Sequence, residues 1–309
     1  MYVNYILSFF IFCLVLFFYL HIQHQLLTSN ELEIYELDTL YKEKLEEIIG
    51  LKQPVILNID LTNDLITNLN KAFLLKTYPA FQINILTSNN EKSVETKKEL
   101  EEPQLPLQFN LATKLFEEDK NSIYYTENNT DFLEETGIIK TFKYNDEIFR
   151  PSMTSHCIYD FISGSLKTSM PFKYDVNYRN YFLVTQGSVK LKLSPPKNKK
   201  YLYVYKNYDT FEFKSKINIW EVQPEFLSDF NKIKCLEVQL TVGKCIYIPP
   251  YWFYSFQFEE NSSMISLKYR TYFNTVAILP DLCMSVLQKQ NTTVNYLKKK
   301  CNDKLDEIE

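Results

Sequence analysis

Glycine is scarce in this 309-residue chain, with 5 in all against 23 Tyr and 23 Phe. So few conformationally free residues and so many aromatic ones favour strands over long flexible loops. There is no G-x-G-x-x-G, Walker loop, G-x-S-x-G elbow or H-E-x-x-H, so the enzyme classes built on those motifs have no footing. Positive charge is also short: 34 Lys and Arg against 38 Asp and Glu give a net charge of −4. That balance supplies no basic field for phosphate backbones and excludes nucleic acid as an expected partner. The six cysteines contain no C-x-x-C pair. Cys13, Cys157, Cys235, Cys245, Cys283 and Cys301 are scattered, which suits neither a zinc knuckle nor a disulfide framework, and they read as small buried hydrophobes. Histidine is limited to His21, His24 and His156.

What is present begins with an uncharged apolar run over residues 3–22, long enough to cross ~30 Å of hydrocarbon as a helix. A transmembrane anchor is expected. The competing reading, a cleaved signal peptide, lacks a basic n-region and a small-x-small cleavage site. Lys and Arg are absent from both flanks, while Glu31, Glu33, Glu36 and Asp38 favour the bulk of the protein lying outside the cytosol. Sequons stand at Asn128, Asn261 and Asn291.

A hydrophobic fraction of 45% supports a real core. The expected organisation is an anchor (1–24), a stem with an amphipathic helix at 40–49 (25–51), an N-terminal α/β part (52–155), a β-barrel core (156–273) and C-terminal helices (274–309). In the α/β part, strands are expected at 54–59, 81–86 and 123–125. Helices fall at 63–76 and 110–118, the latter capped by Asn110, with an exposed loop over 87–106. The core shows eight strand patterns: 157–162, 169–173, 181–185, 189–194, 235–240, 244–248, 254–258 and 264–269. A short helix is expected at 224–230 and longer ones at 276–290 and 294–304, the latter packing on the barrel or on a second copy. Acid runs such as 99–102 read as solvated faces. The fold class is α+β, mainly β.

Two segments carry a family resemblance. Gly243 to Tyr254 reads Gly-Lys-Cys-Ile-Tyr-Ile-Pro-Pro-Tyr-Trp-Phe-Tyr, a strand stopped by a double proline and followed by a second strand. It resembles the Gly-Asp-(three hydrophobic)-Ile-Pro-x-x-Trp-Trp-His segment of the JmjC and cupin-like 2-oxoglutarate oxygenases. Upstream, residues 161–196 are similar to the family stretch that carries its first histidine and its carboxylate, and residues 52–56 to its x-x-P-V-V-I opening. The resemblance runs from there to Tyr272 and implies a double-stranded β-helix, or jelly roll, with flanking helices. It also implies that C-terminal helices can build a homodimer.

In that family two histidines and one carboxylate hold Fe(II). Matched by position, the first histidine is Lys173, the carboxylate is Asp175 and the second histidine is Tyr254. A protonated ammonium has no free lone pair, and a neutral phenol is a poor Fe(II) ligand. With His21 and His24 at the end of the apolar run, only His156 remains, so no two-histidine site can be assembled. His156 reads as a strand-edge or core residue. The family lysine that pairs with the 2-oxoglutarate carboxylate falls on Val189, while Lys190 and Lys192 should face elsewhere. Asn180 matches a family polar contact for the cofactor, with one extra residue between it and Asp175. An ammonium–carboxylate–phenol cluster of Lys173, Asp175 and Tyr254 would fill the space of the lost ion. A new ligand pocket or an unorthodox metal site is the alternative. Trp252 and Phe253 read as core at the corner.

The resulting expectation is a membrane-anchored, non-catalytic cupin-like protein that serves binding or assembly with a protein partner and takes no cofactor. The alternative is an Fe(II)/2-oxoglutarate protein hydroxylase or lysine demethylase with atypical ligands. The anchor's Tyr-Leu-His-Ile exit and the AT-biased composition resemble proteins of large DNA viruses, which would place it in a host endomembrane or virion membrane.

Overall fold

The computed structural model describes residues 2–38, 41–88 and 105–290. The helices are α1 (Tyr2–Leu26), α2 (Lys42–Gly50), α3 (Asp64–Thr67), α4 (Lys71–Thr77), α5 (Phe109–Glu118), α6 (Thr130–Glu135), α7 (Ile139–Asn145), α8 (Leu227–Phe230), α9 (Tyr272–Ala277) and α10 (Leu279–Lys289). The first strands are β1 (Tyr35–Leu37), β2 (Val55–Asn58), β3 (Gln82–Thr87), β4 (Leu105–Gln108) and β5 (Tyr124–Thr126). Next come β6 (Thr154–Gly164), β7 (Lys173–Tyr174), β8 (Arg179–Gln186), β9 (Ser188–Ser194), β10 (Val204–Asn207) and β11 (Glu212–Ser215). The last are β12 (Leu236–Thr241), β13 (Lys244–Ile248), β14 (Phe253–Phe258) and β15 (Ser263–Thr271).

These strands form two sheets, a nine-stranded one ordered β1-β2-β13-β8-β15-β6-β5-β3-β4 and a six-stranded one ordered β10-β11-β7-β14-β9-β12. Strand alternation sorts their side chains. On β8, Phe182 and Val184 join Leu191, Leu193, Phe256 and Phe258 in the core between the sheets. Tyr181 and Leu183 join the helices behind the larger sheet. Because both faces of that sheet are buried, β8 is buried from Arg179 to Thr185, with an apolar run over Tyr181, Phe182, Leu183 and Val184 at its centre. A third cluster, around Phe172, Tyr174, Phe213 and Phe253, covers one end of the smaller sheet. Gly187, at φ 68°, makes the β8–β9 turn, where an added Cβ would stand 2.9 Å from the backbone of Ser262.

Several boundaries differ from the sequence reading. The helix expected over 63–76 is two helices, α3 and α4. Asn63 accepts from Leu65 N–H and Asn70 from Phe73 N–H, so each asparagine starts its own helix. The cap of α5 is Gln108 and not Asn110, which accepts from the adjacent Leu111 N–H. The strand expected over 169–173 shrinks to β7, with Ser169 making a lone bridge to Gln257. Residues 276–290 break at Ile278 into α9 and α10. Strands β1, β4, β10 and β11 and helices α6 and α7 were not foreseen. The helix expected over 294–304, the acid run at 99–102, most of the 87–106 loop and the Asn291 sequon lie outside the described residues.

Among the described residues α1 is the one helix long and apolar enough to cross a membrane. Its C-terminal carbonyls are tied to the domain: the Lys52 ammonium donates to His24 O and, at 2.9 Å, to Leu27 O. Burial pushes that ammonium down to about 8. Trp252 donates its indole N–H to Ser29 O at 3.0 Å, and Phe273 stacks on His21.

Candidate functional site

The interior between the sheets changes character along the strands. On β15 the inward positions run Met264, Ser266, Lys268 and Arg270, while Ile265, Leu267 and Tyr269 pack outward in the helix-side core. On β6 Ile162 is followed at the same polar end by Asp160, and on β8 Val184 and Phe182 by Asn180. One end of the interior is therefore apolar and the other is lined by charge.

Strand β7 sits at the charged end. Lys173 lies opposite Lys214 on β11 and Tyr254 on β14. Its buried ammonium contacts both oxygens of Glu127, one of them at 2.6 Å. Asp175 follows the strand, and its carbonyl accepts from Tyr251 N–H at 2.8 Å, tying it to the double-proline corner. Its carboxylate accepts from the Tyr254 hydroxyl at 2.6 Å and pairs with Lys268 at 2.9 Å. Glu212 pairs with Lys214 at 2.9 Å. Asp160 accepts three backbone N–H bonds, from Asn128 and Asn129 at 2.8 Å and from Phe161 at 2.9 Å.

The three positions matched to the family's ligands are thus brought together, but with partners the sequence did not reveal. Lys173 does not serve as the direct counter-ion of Asp175: Glu127 takes it, and Lys268 serves Asp175. The reason is placement, because Asp175 lies beyond the two-residue strand that turns Lys173 inward.

Burial alone would push the Lys173 ammonium down, but Glu127, Glu212 and Asp175 hold it up. Burial works to raise Asp175, whereas Lys268, Lys173 and the Tyr254 hydroxyl keep it below the usual carboxylate range. Tyr254 is pushed well up by burial and then by the charges of Asp175 and Glu127. Asp160, buried and close to Glu127, rises to about 7 despite its backbone donors. The cluster therefore consists of a protonated amine, an ionised carboxylate and a neutral phenol.

A cavity of about 200 Å³ opens on this cluster, lined among others by Glu127, Lys173, Asp175, Glu212, Lys268 and Arg270. A larger one of about 460 Å³ lies between the end of α1 and the domain, where Arg179 pairs with Glu46 beside His21 and His24. Asn180 does not line the smaller cavity. Its amide donates to Ile248 O at 3.1 Å and accepts from Asn177 at 3.3 Å, so it braces the corner. Val189 is buried in the apolar interior, while Lys190 and Lys192 pair with Glu259 and Glu237 on the other face. His156 is exposed on β6. Among the described residues no three His, Cys, Asp or Glu side chains are gathered as a metal site.

Glu127, Asp160, Glu212, Lys268 and Arg270 were missed by the sequence reading. Lys268 and Arg270 left a signal, since they alternate as charges along a strand whose other face is apolar. Glu127 follows a three-residue strand with no motif around it.

Compared with known proteins, residues 42–278 match the family model described as a cupin-like domain. No curated protein matches the chain.

Proposed function

The chain belongs to the cupin-like domain family, and on that premise we propose that it is a membrane-anchored, catalytically silent member whose barrel serves binding or assembly. The observation that carries this reading is the Lys173–Glu127 and Asp175–Lys268–Tyr254 network. At the positions matched to the metal ligands of the resembling oxygenases, protein cations and a phenol neutralise the carboxylates. A protonated ammonium cannot ligate, the phenol donates its proton to Asp175, and Asp175 already serves two partners, so this donor set does not fit Fe(II). Lys173 keeps Glu127 from being an unpaired buried charge, as a metal ion would have to do in its absence.

The strand path supports a double-stranded β-helix. Strands β8 and β9, β12 and β13, and β14 and β15 each pass from one sheet to the other. Helix α1 is read as the anchor, supported by its exposed apolar surface and by Lys52 and Trp252 fastening its exit to the domain. The membrane is thereby one partner, and a protein at that membrane is the second.

The test is reconstruction. Lys173→His, Tyr254→His and Glu127→Gln together restore two histidines beside Asp175 and remove the stranded acid. Anaerobic Co(II) titration followed by visible absorption should leave the unmodified chain without ligand-field bands and give them to the triple variant. Bands in the unmodified chain that vanish in Asp175→Ala would instead support the hydroxylase reading with atypical ligands.

A further inference from the structure

Helix α10 is amphipathic in the reverse sense. Its polar side is held by the domain: Asp281 accepts from Lys206 at 3.0 Å and from the Tyr208 hydroxyl at 2.9 Å, and Ser285 is buried. Of its apolar residues only Leu282 packs inward, against the third core cluster. Leu279, Met284, Val286 and Leu287 are exposed, Leu287 to 62%, and Cys283 is exposed among them. Leu279, Cys283, Val286 and Leu287 follow the i, i+4, i+7, i+8 spacing of a single helical stripe. On α9, Tyr272 and Val276 stand one turn apart and are exposed as well. An apolar face turned outward over two successive helices marks a contact surface. The surroundings of α9 identify what it meets. Phe273 stacks on His21 with centroids 4.8 Å apart and meets Phe17 edge-on at 6.4 Å, so α9 lies against the apolar segment of α1 itself and not only against its exit. Phe17 stands five positions before Ile22, the end of the apolar run. At the rise of an α-helix that is about 8 Å inside the run, within the ~5–10 Å depth at which interfacial helices seat.

We propose that the exposed apolar face of α9 and α10 is a second membrane contact, a patch that seats in the lipid interface beside α1. The inference rests on the reading of α1 as an anchor and extends it to the domain. When α1 spans a bilayer, the Phe17–Phe273 contact brings α9 to the level of the interface, and Ile278 alone separates α9 from α10. Tyr272 suits that level, because a phenol presents an apolar ring and a polar tip. Asp281, on the opposite side of α10, stays with its partners in the domain. A single spanning helix leaves a domain free to turn about the helix axis. A second contact at its side fixes the orientation, and with it the height at which the charged cavity stands above the bilayer.

The test uses the full chain in phosphatidylcholine liposomes, with Leu279→Trp as a probe read as the fluorescence difference from the unmodified chain, which already holds Trp220 and Trp252. The added indole should emit at shorter wavelength than a solvated one and lose most of its intensity when the lipids are brominated high on their acyl chains. Adding Val276→Asp and Leu287→Asp should return its emission to that of a solvated indole, while the chain still resists alkaline extraction through α1. All three positions are exposed, so the substitutions leave the core intact. Solvated emission from the single variant in a chain that resists extraction would overturn the proposal and leave the anchor standing. A blue shift that brominated lipid does not quench would also overturn it, because a second copy or residues 291–309 would then cover the face. Release of the chain by alkali would overturn the anchor reading and this inference with it.

Discussion

Asp146 and Asp175 are both carboxylates held by tyrosine hydroxyls and a basic side chain, yet one centre is closed and the other is open. Asp146 accepts from Tyr159 at 2.6 Å and Tyr269 at 2.9 Å and pairs with Arg150 at 2.7 Å. It borders the aromatic core of Phe142, Tyr159 and Tyr269, and each of those polar groups is used. Asp175 takes Tyr254 and Lys268 beside a cavity that Arg270 also lines. Two strands serve both centres: Tyr269 and Lys268 are neighbours on β15, and Tyr159 and Asp160 are neighbours on β6, facing opposite sides. The same alternation therefore makes a structural clasp behind the sheet and a charged cluster that opens on a cavity in front of it.

The largest effect should come from breaking the clasp. Asp146→Ala leaves two phenols and a guanidinium without their acceptor and should cost about 3–5 kcal/mol in urea unfolding of the micelle-bound protein. On the open side, Lys173→Met alone should cost about 3 kcal/mol, because Glu127 is then buried without a partner. Adding Glu127→Leu should return most of that loss. An undiminished loss in the double variant would mean that the pair acts through packing and not through charge.

The pH dependence sharpens the comparison next. The Asp160 carboxyl is held up to about 7 by burial and the neighbouring Glu127 charge. Below about pH 4 both folded and unfolded chains keep this proton. Between about 4 and 7 the unfolded chain has released it while the folded chain retains it, so stability falls as pH rises, by about 4 kcal/mol across the window, and is flat above. Asp160→Asn should remove that slope from the difference between variant and unmodified protein. A slope of the opposite sign would show that the three backbone N–H groups keep Asp160 ionised. The smallest effects belong to the single hydroxyls. Tyr254→Phe and Tyr269→Phe should each cost about 1 kcal/mol in the same urea unfolding measurement.

The part of this comparison legible in the sequence was the scaffold. The double-proline corner and the strand patterns of β6, β8, β9, β14 and β15 report local backbone preferences, and the structure places these elements near where the residues implied. The meeting of Lys173, Asp175 and Tyr254 was also legible, because two motifs with known spacing fix it. Their partners were not. Glu127 reaches Lys173 across 46 residues and Lys268 reaches Asp175 across 93, pairings set by sheet order and by no local pattern. Asp146 was hidden for the same reason: its role depends on tyrosines 13 and 123 positions away. The split of residues 63–76 into α3 and α4 was missed because helical periodicity outweighed Asn70, whose side chain bonds the backbone on both sides.

The central claim, that internal ion pairs have taken the place of a metal ion, is tested most directly by anaerobic calorimetric titration of Fe(II) into the full chain, with and without 2-oxoglutarate. The account predicts heats no larger than dilution in both cases and an unchanged thermal midpoint. Stoichiometric micromolar binding that tightens with 2-oxoglutarate and disappears in Asp175→Ala would contradict it.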